Sequence, residues 1–236
     1  EFRRVLFRSG FDAGAKAAII ASIAFGARVV AGDVYHEGIS GITAADIAVA
    51  RRLGYVVKLL AIAEQDEKSV SVRVHPAMVP VSHPLASVRE SYNAVFVEGD
   101  AVGSLMFYGR GAGGYPTASA VLGDVIDAAV NLGKGTHGTI GSFARTQVSP
   151  IDETSSQYLV GLEVEDKPGV LHAITGVFAQ HGVSIRAAEQ EGTDSDARLV
   201  FITHSAREAD VQACLREFRN LPVVRRTSGL LRVIGE

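Results

Sequence analysis

The sequence has no tryptophan, two methionines and a single cysteine, Cys214. One thiol excludes a disulfide framework and any zinc site built from cysteines, and it fits a reducing, cytoplasmic compartment. A concentrated run of Lys and Arg is also missing, and the formal charge is -3, so the surface needed to neutralise a phosphate backbone is absent and no nucleic acid partner is expected. No stretch reaches about 18 apolar residues without a charge or a glycine break, so no membrane span is expected. The apolar run inside residues 1–9 is too short for a signal peptide, and those residues read as a leader foreign to the fold. Metal ligands are sparse too. His36 and Glu37 are adjacent but have no further clustered ligands, which reads as a polar loop, and no metal is expected.

What remains is an ordinary globular composition, 47% hydrophobic and 21% charged over 236 residues, enough for one or two domains. The most informative stretch is Gly10-Phe11-Asp12-Ala13-Gly14-Ala15-Lys16, which runs into Ala17-Ala18-Ile19-Ile20-Ala21. It predicts a helix that is apolar on nearly every side, opened by one acid and one base four residues apart. In the plainest reading Asp12 is a helix N-cap and Lys16 its ion-pair partner. Because a helix apolar all round is normally buried, the pair is expected where a core meets a cavity, and a lysine so placed beside a carboxylate suits proton transfer in a carbonyl-to-alcohol conversion.

Further along, Arg28–Ala31 is expected as a short strand, and Thr43-Ala44-Ala45-Asp46 as a capping box opening a helix that ends at Gly54. Tyr55–Ala63 and Ser69–Val74 read as a hairpin, the second strand alternating with period two. Pro76, Pro80 and Pro84 mark an expected loop region. Asn93–Val97 and Gly103–Tyr108 form a second hairpin across Glu98-Gly99-Asp100. Gly109, Gly111 and Gly114 spell G-x-G-x-x-G between that hairpin and a helix over Ala118–Leu132. No second βαβ strand with a terminal acid follows, so a full Rossmann domain is not expected, although bare backbone N–H groups there suit contact with a phosphate or a nicotinamide. Residues 133–156, rich in Gly, Ser and Thr, read as a linker. Beyond it come a strand, the turn Asp166-Lys167-Pro168-Gly169, a helix over Val170–Gln180, two strands, a helix and a last strand, the βαββαβ order of a ferredoxin-like unit. The expected class is α+β, a mixed-sheet domain followed by that unit.

The ordered blocks Gly10–Lys16, Glu37-Gly38-Ile39, Leu53-Gly54-Tyr55, Val74-His75-Pro76, Asn93-Ala94, Gly111-Ala112-Gly113 and Pro116–Val121 with Asp124 resemble homoserine dehydrogenase over residues 10–132. The unit at 157–236, with Asp166-Lys167-Pro168-Gly169-Val170-Leu171, resembles an ACT domain. The resemblance implies a catalytic, substrate and dimerisation domain at 10–132 and a regulatory domain at 157–236. It also implies NAD(P)H-dependent interconversion of aspartate semialdehyde and homoserine, on the route to threonine and methionine. Lys16 then falls at the catalytic lysine and Asp12 at the aspartate that holds the substrate amine or orients the lysine. Gly109, Gly111, Ala112, Gly113 and Thr117 would lie beside NADP or NAD. Arg110 stands where the family usually has proline. Asp166, Gly169, Val170, Leu171 and Ile185 are the candidates for binding a regulatory amino acid, threonine by family expectation. For Gly169 the plain alternative is a simple turn, and for Val170 and Leu171 core packing. A homo-oligomer, dimer or tetramer, is expected. The family begins with a Rossmann domain that has no counterpart in this sequence, so the chain is expected to be a fragment, inactive alone. Two other readings compete: a non-enzymatic amino-acid sensor working through the ACT unit alone, and an unrelated nucleotide-binding protein using the glycines at 109–114.

Overall fold

The structure is a computed structural model describing residues 8–136, 143–192 and 197–234. Most of the expected leader (1–7) and residues 137–142 of the expected linker lie outside the described residues. The chain divides into two compact units, one combining the segments before residue 81 and after 142, the other spanning Val81–Ser142.

The larger unit is built on a sheet of nine strands among the described residues. Helix α1 (Phe11–Phe25) leads to β1 (Tyr35–His36), α2 (Ala44–Arg52) and the long hairpin β2 (Tyr55–Gln65) and β3 (Ser69–Pro80). After the second unit the chain returns through β6 (Gln147–Val148) to β7 (Ser155–Val164), α4 (Val170–Gln180), β8 (Ile185–Glu191), β9 (Arg198–Thr203), β10 (Ala206–Arg207), α5 (Glu208–Phe218) and β11 (Val224–Val233). The order β7-α4-β8-β9-α5-β11 is the expected βαββαβ unit. Its sheet does not stop at the expected boundary. β11 lies between β7, to which it is antiparallel, and β3, to which it is parallel through Arg232–Ala77 and Val233–Met78, so a single sheet crosses from one expected domain to the other. β6, inside the expected linker, adds to β3 at Ser69 and Val70.

Strand alternation distributes the core. Val70, Val72 and Val74 of β3 pack against Ala17, Ala18 and Ala21 of α1. Further along the same strand, Met78 joins Leu159, Val200, Leu231 and Val233 under Val49 and Ala50 of α2. On the opposite face Tyr158, Val160, Leu162 and Phe201 pack against Ile174, Phe178, Val211, Cys214 and Phe218 of α4 and α5. Phe178 sits edge-on to Phe218, with ring centroids 5.0 Å apart.

Three local expectations are corrected. Arg28–Ala31 is not a strand; only Ala27 forms an isolated bridge, to Ala144, and a 3₁₀ turn follows at Ala31–Asp33. The stretch holding Pro76 and Pro80 is not a loop. β3 continues through both, because on the flank opposite β2 the partner changes from β1 at Arg73 and Val74 to β11 at Ala77 and Met78. Pro76 falls at that gap, where no neighbour asks for an N–H. Helix α1 is not buried all round. Its small residues Gly14, Ala17, Ala18 and Ala21 lie on the sheet, whereas Ile19, Ile20 and Ile23 face outward. A helix seated on one sheet face can bury only one stripe, and here alanine lets it approach closely.

The second unit is the antiparallel hairpin β4 (Tyr92–Gly99) and β5 (Gly103–Arg110), followed by α3 (Gly114–Gly133). Tyr92 and Tyr108 stack with centroids 4.9 Å apart, and the Arg110 guanidinium lies 5.0 Å over the Tyr92 ring. Every described residue of α3 except Pro116 and Asn131 is exposed, including Val121, Leu122, Val125 and Ile126.

Candidate functional site

Asp12 and Lys16 are one turn apart on α1, and Lys16 Nζ donates to Asp12 Oδ2 at 2.8 Å. The N-cap is Gly10, in the left-handed conformation at φ 84°, so Asp12 lies in the first helical turn rather than at the cap. The Lys16 side chain is 59% exposed and that of Asp12 35%, so in this chain the pair stands open to solvent instead of at a core boundary. Exposed ion pairs of this kind contribute little to stability. Both groups are therefore free to engage a ligand without a large folding penalty.

The loop 36–39 fixes the start of α1. Ile39 N–H donates to the Arg8 carbonyl at 2.9 Å, Glu37 N–H donates to the Val74 carbonyl at 2.7 Å, and the Phe11 and His36 rings meet at 3.9 Å between centroids. Gly38 has no room for a side chain, since a Cβ there would run into the Arg8 carbonyl oxygen. A Cβ on Gly10 would come within 3.3 Å of the Glu37 carbonyl oxygen.

Behind this loop lies a buried polar cluster that sequence reasoning missed. Arg232, 1% exposed, donates through Nε and Nη2 to the two Glu208 carboxylate oxygens at 2.7 and 2.6 Å, and through Nη1 to Glu37 Oε2 at 2.8 Å. Tyr158 Oη and Gln212 Nε2 also donate to Glu208, at 3.0 and 2.8 Å. Burial works to raise the Glu208 pKa, but the Arg232 hydrogen bonds and charge overcome it and hold the carboxyl below its ordinary value. His75 belongs to the same buried face of β3. Burial first, and then the Arg232 charge, lower its pKa to about 3. Its Nδ1 meets the Pro76 carbonyl at 3.0 Å, while Nε2 is buried without a partner. Beside the cluster a cavity of about 410 Å³ opens, lined by Tyr35, Glu37, Arg198, Arg219, Arg226 and Ser228 among others. The available sequence signal was charge interrupting apolar runs: Arg73-x-His75 among valines, and Arg232 within Leu230–Val233.

In the ACT-like unit, Gly169 is the N-cap of α4 at φ 91° with no side-chain cap, so the first N–H groups of α4 have no intrahelical partner. Asp166 accepts from Gln190 Nε2 at 3.4 Å. Val170 is buried in the core and Ile185 packs against it, whereas Leu171 is 51% exposed. Of these five residues Asp166, Gly169 and Leu171 are exposed, Ile185 is half-buried and Val170 is buried.

In the second unit Gly109 is the last residue but one of β5, paired with Asn93, and Gly111 lies against the same Asn93, whose carboxamide fills the space of a Gly111 Cβ. Gly113, at φ 132°, is the N-cap of α3 with no side-chain cap, and Thr117 N–H donates to its carbonyl at 3.1 Å. Pro116 brings no N–H, so the helix start offers fewer free donors than a full phosphate cradle. The arrangement suits a loop lying against a cofactor better than one gripping a pyrophosphate. Among the described residues no group of three or more His, Cys, Asp or Glu is placed to hold a metal ion, and no helix is long and apolar enough to cross a membrane.

Comparison with known proteins adds the following. The family model for homoserine dehydrogenase matches residues 8–126, and that for the ACT domain matches residues 158–223. A homoserine dehydrogenase of Corynebacterium glutamicum is 49% identical over 230 residues, covering 95% of this chain and 52% of that protein. One from Mycobacterium bovis is 48% identical over 238 residues, covering 96% and 54%. The crystal structure of a homoserine dehydrogenase from Thiobacillus denitrificans superposes with a TM-score of 0.91 at 34% identity, over 97% of this chain and 54% of that one. The chain thus spans about half the length of the curated relatives it matches. With a family model covering half of its residues, and Asp12 and Lys16 inside the match, the chain belongs to the homoserine dehydrogenase family and carries a C-terminal ACT domain.

Proposed function

We propose that this chain supplies the proton-handling and regulatory part of an NAD(P)H-dependent homoserine dehydrogenase, which interconverts L-aspartate 4-semialdehyde and L-homoserine in the synthesis of threonine and methionine in the cytoplasm. The observation that carries the reading is the Asp12–Lys16 pair, 2.8 Å apart and open to solvent on a helix within the family match. The nicotinamide, when bound, supplies or accepts the hydride at C4 of the substrate. Lys16 protonates the oxygen that becomes the alcohol, and in reverse its free amine takes that proton. Asp12 orients the lysine and offers a carboxylate to the substrate ammonium. The loop at Gly109, Gly111, Ala112, Gly113 and Thr117 borders NADP or NAD with bare backbone.

Threonine is the proposed effector, its carboxylate meeting the uncapped start of α4 at Gly169 beside Asp166 and Leu171. The exposed apolar residues of α3 support a homo-oligomer, since patches of this extent are usually covered. The test is NAD(P)H oxidation with aspartate semialdehyde by a protein containing this chain. Lys16→Ala is expected to lower kcat by about 10²–10⁴-fold with a smaller change in KM. An unchanged kcat sinks the assignment. Calorimetry of the chain with threonine tests the effector, and a Gly169→Ala variant that binds it as well as wild type removes that site.

A further inference from the structure

The buried cluster joins two parts of the chain that the reaction reading leaves separate. Arg232 stands on β11, the last strand of the βαββαβ unit that carries the ACT match, and Glu208 opens that unit's second helix. Glu37 belongs to the loop that fixes α1, and Arg232 reaches it at 2.8 Å from a position 195 residues away. The guanidinium is divided. Its Nε/Nη2 fork is spent on Glu208, leaving Nη1 for Glu37. Tyr35 Oη donates to the same Glu37 oxygen at 3.2 Å, so two donors from different strands hold one carboxylate. From Glu37 the path to Asp12 is short. Its backbone N–H is bonded to β3, its carbonyl oxygen lies against Gly10, and the following residues Gly38 and Ile39 close on Arg8.

We propose that Arg232 is a positioning residue: by holding Glu37 it fixes the 36–39 loop against the start of α1, so that the ACT domain and the helix carrying Asp12 and Lys16 are mechanically one piece. The relevance to catalysis rests on the reading of Lys16 given above; the mechanical link does not. Glu37 is the point at which to cut it, because Arg232 keeps its Glu208 partner when Glu37 is changed and no buried charge is orphaned. Arg232→Lys makes the complementary change, retaining a cation for Glu208 while losing the geometry that spans both carboxylates.

Hydrogen exchange of this chain is the deciding measurement. In Glu37→Ala the amides of Gly14–Ala18 are expected to exchange about tenfold faster, while those of Ile174–Phe178, in the other core, keep their wild-type rates. Arg232→Lys is expected to reproduce the α1 effect, and Glu37→Gln, which still accepts from Nη1, to restore most of the protection. Unchanged α1 exchange in Glu37→Ala overturns the proposal. So does equal acceleration in both helices, because Glu37 would then set only global stability, and so does a failure of Glu37→Gln to rescue. In a protein containing this chain, Glu37→Ala is expected to lower kcat with KM within about twofold. If Lys16→Ala leaves the rate intact, the reaction reading fails while the exchange data still decide the link.

Discussion

Asp46 is a buried carboxylate with two separate tasks. It lies at the third position of α2, fully buried, and its Oδ2 accepts from Thr43 N–H at 3.0 Å and Thr43 Oγ1 at 2.7 Å. Thr43 Oγ1 in turn accepts from Asp46 N–H, which completes the capping box expected from the sequence. Oδ1 has a second task, accepting from Arg198 Nη2 of β9 at 2.7 Å. Asp46→Ala therefore removes a cap worth about 1 kcal/mol and strands a largely buried guanidinium, which costs about 3–5 kcal/mol. Ser228 Oγ still bonds Arg198 at 3.2 Å, so the lower end applies, about 4 kcal/mol in all. That corresponds to about 8–16 °C in Tm for a chain of this size. Thr43→Ala, which loses only the cap, is expected to cost about 1 kcal/mol. Urea unfolding of Asp46→Ala, Arg198→Met and the double variant separates the contributions. With Arg198 already replaced, Asp46→Ala is expected to cost only the cap, about 1 kcal/mol. Equal losses for Asp46→Ala in both backgrounds would refute the reasoning, because the carboxylate would then be stabilising α2 without Arg198.

Other expectations follow from single groups. His75 is neutral in the folded chain with its pKa lowered to about 3, whereas unfolded it titrates near 6.5. Its contribution is thus fully present above about pH 6.5 and is lost as pH falls toward 3. Urea midpoints should show a loss of about 2 kcal/mol between pH 6.5 and 5 that His75→Gln lacks; parallel pH profiles for the two proteins would contradict this. Cys214 is buried, and burial pushes its thiol up to about 12, so an aromatic disulfide reagent should label it only in denaturant. Rapid native labelling would show that α5 opens. Gly169→Ala meets no atom but forces a left-handed conformation on a residue with a Cβ, at about 1–2 kcal/mol read from thermal unfolding. No loss would mean the turn relaxes freely.

The fold was legible wherever the signal was local. The capping box at Thr43–Asp46, the alternating valines of β3 and the βαββαβ order all followed from spacing. The surroundings of Lys16 did not. The residues between Ala17 and Phe25 are apolar on nearly every side, but their pattern says nothing about how many neighbours the helix has, and in this chain it has one sheet face. The strand through Pro76 was hidden for a related reason. Proline is excluded from a ladder only where an N–H is required, and that depends on which strand lies alongside, which for β11 means Arg232 and Val233 against Ala77 and Met78, far apart in the chain.

The insertion of β11 between β3 and β7 raises the question of what fixes its register, because the parallel pairing with β3 spans only Arg232 and Val233. Backbone hydrogen bonds alone do not choose, since a strand shifted by one residue can pair as well. The side chains do choose. Leu231 and Val233 belong to the face under α2, and Leu230 and Arg232 to the face under α5. A shift of one residue would carry Arg232 among Met78, Leu159 and Val200, leaving its charge without a partner and Glu208 buried alone. The penalty of about 3–5 kcal/mol for either unpaired group exceeds what a short stretch of ladder returns. The Arg232–Glu208 pair therefore need not add net stability to be retained. Its role is to make the one register that also delivers Nη1 to Glu37 the only inexpensive one, and it is by that register that the βαββαβ unit joins β3.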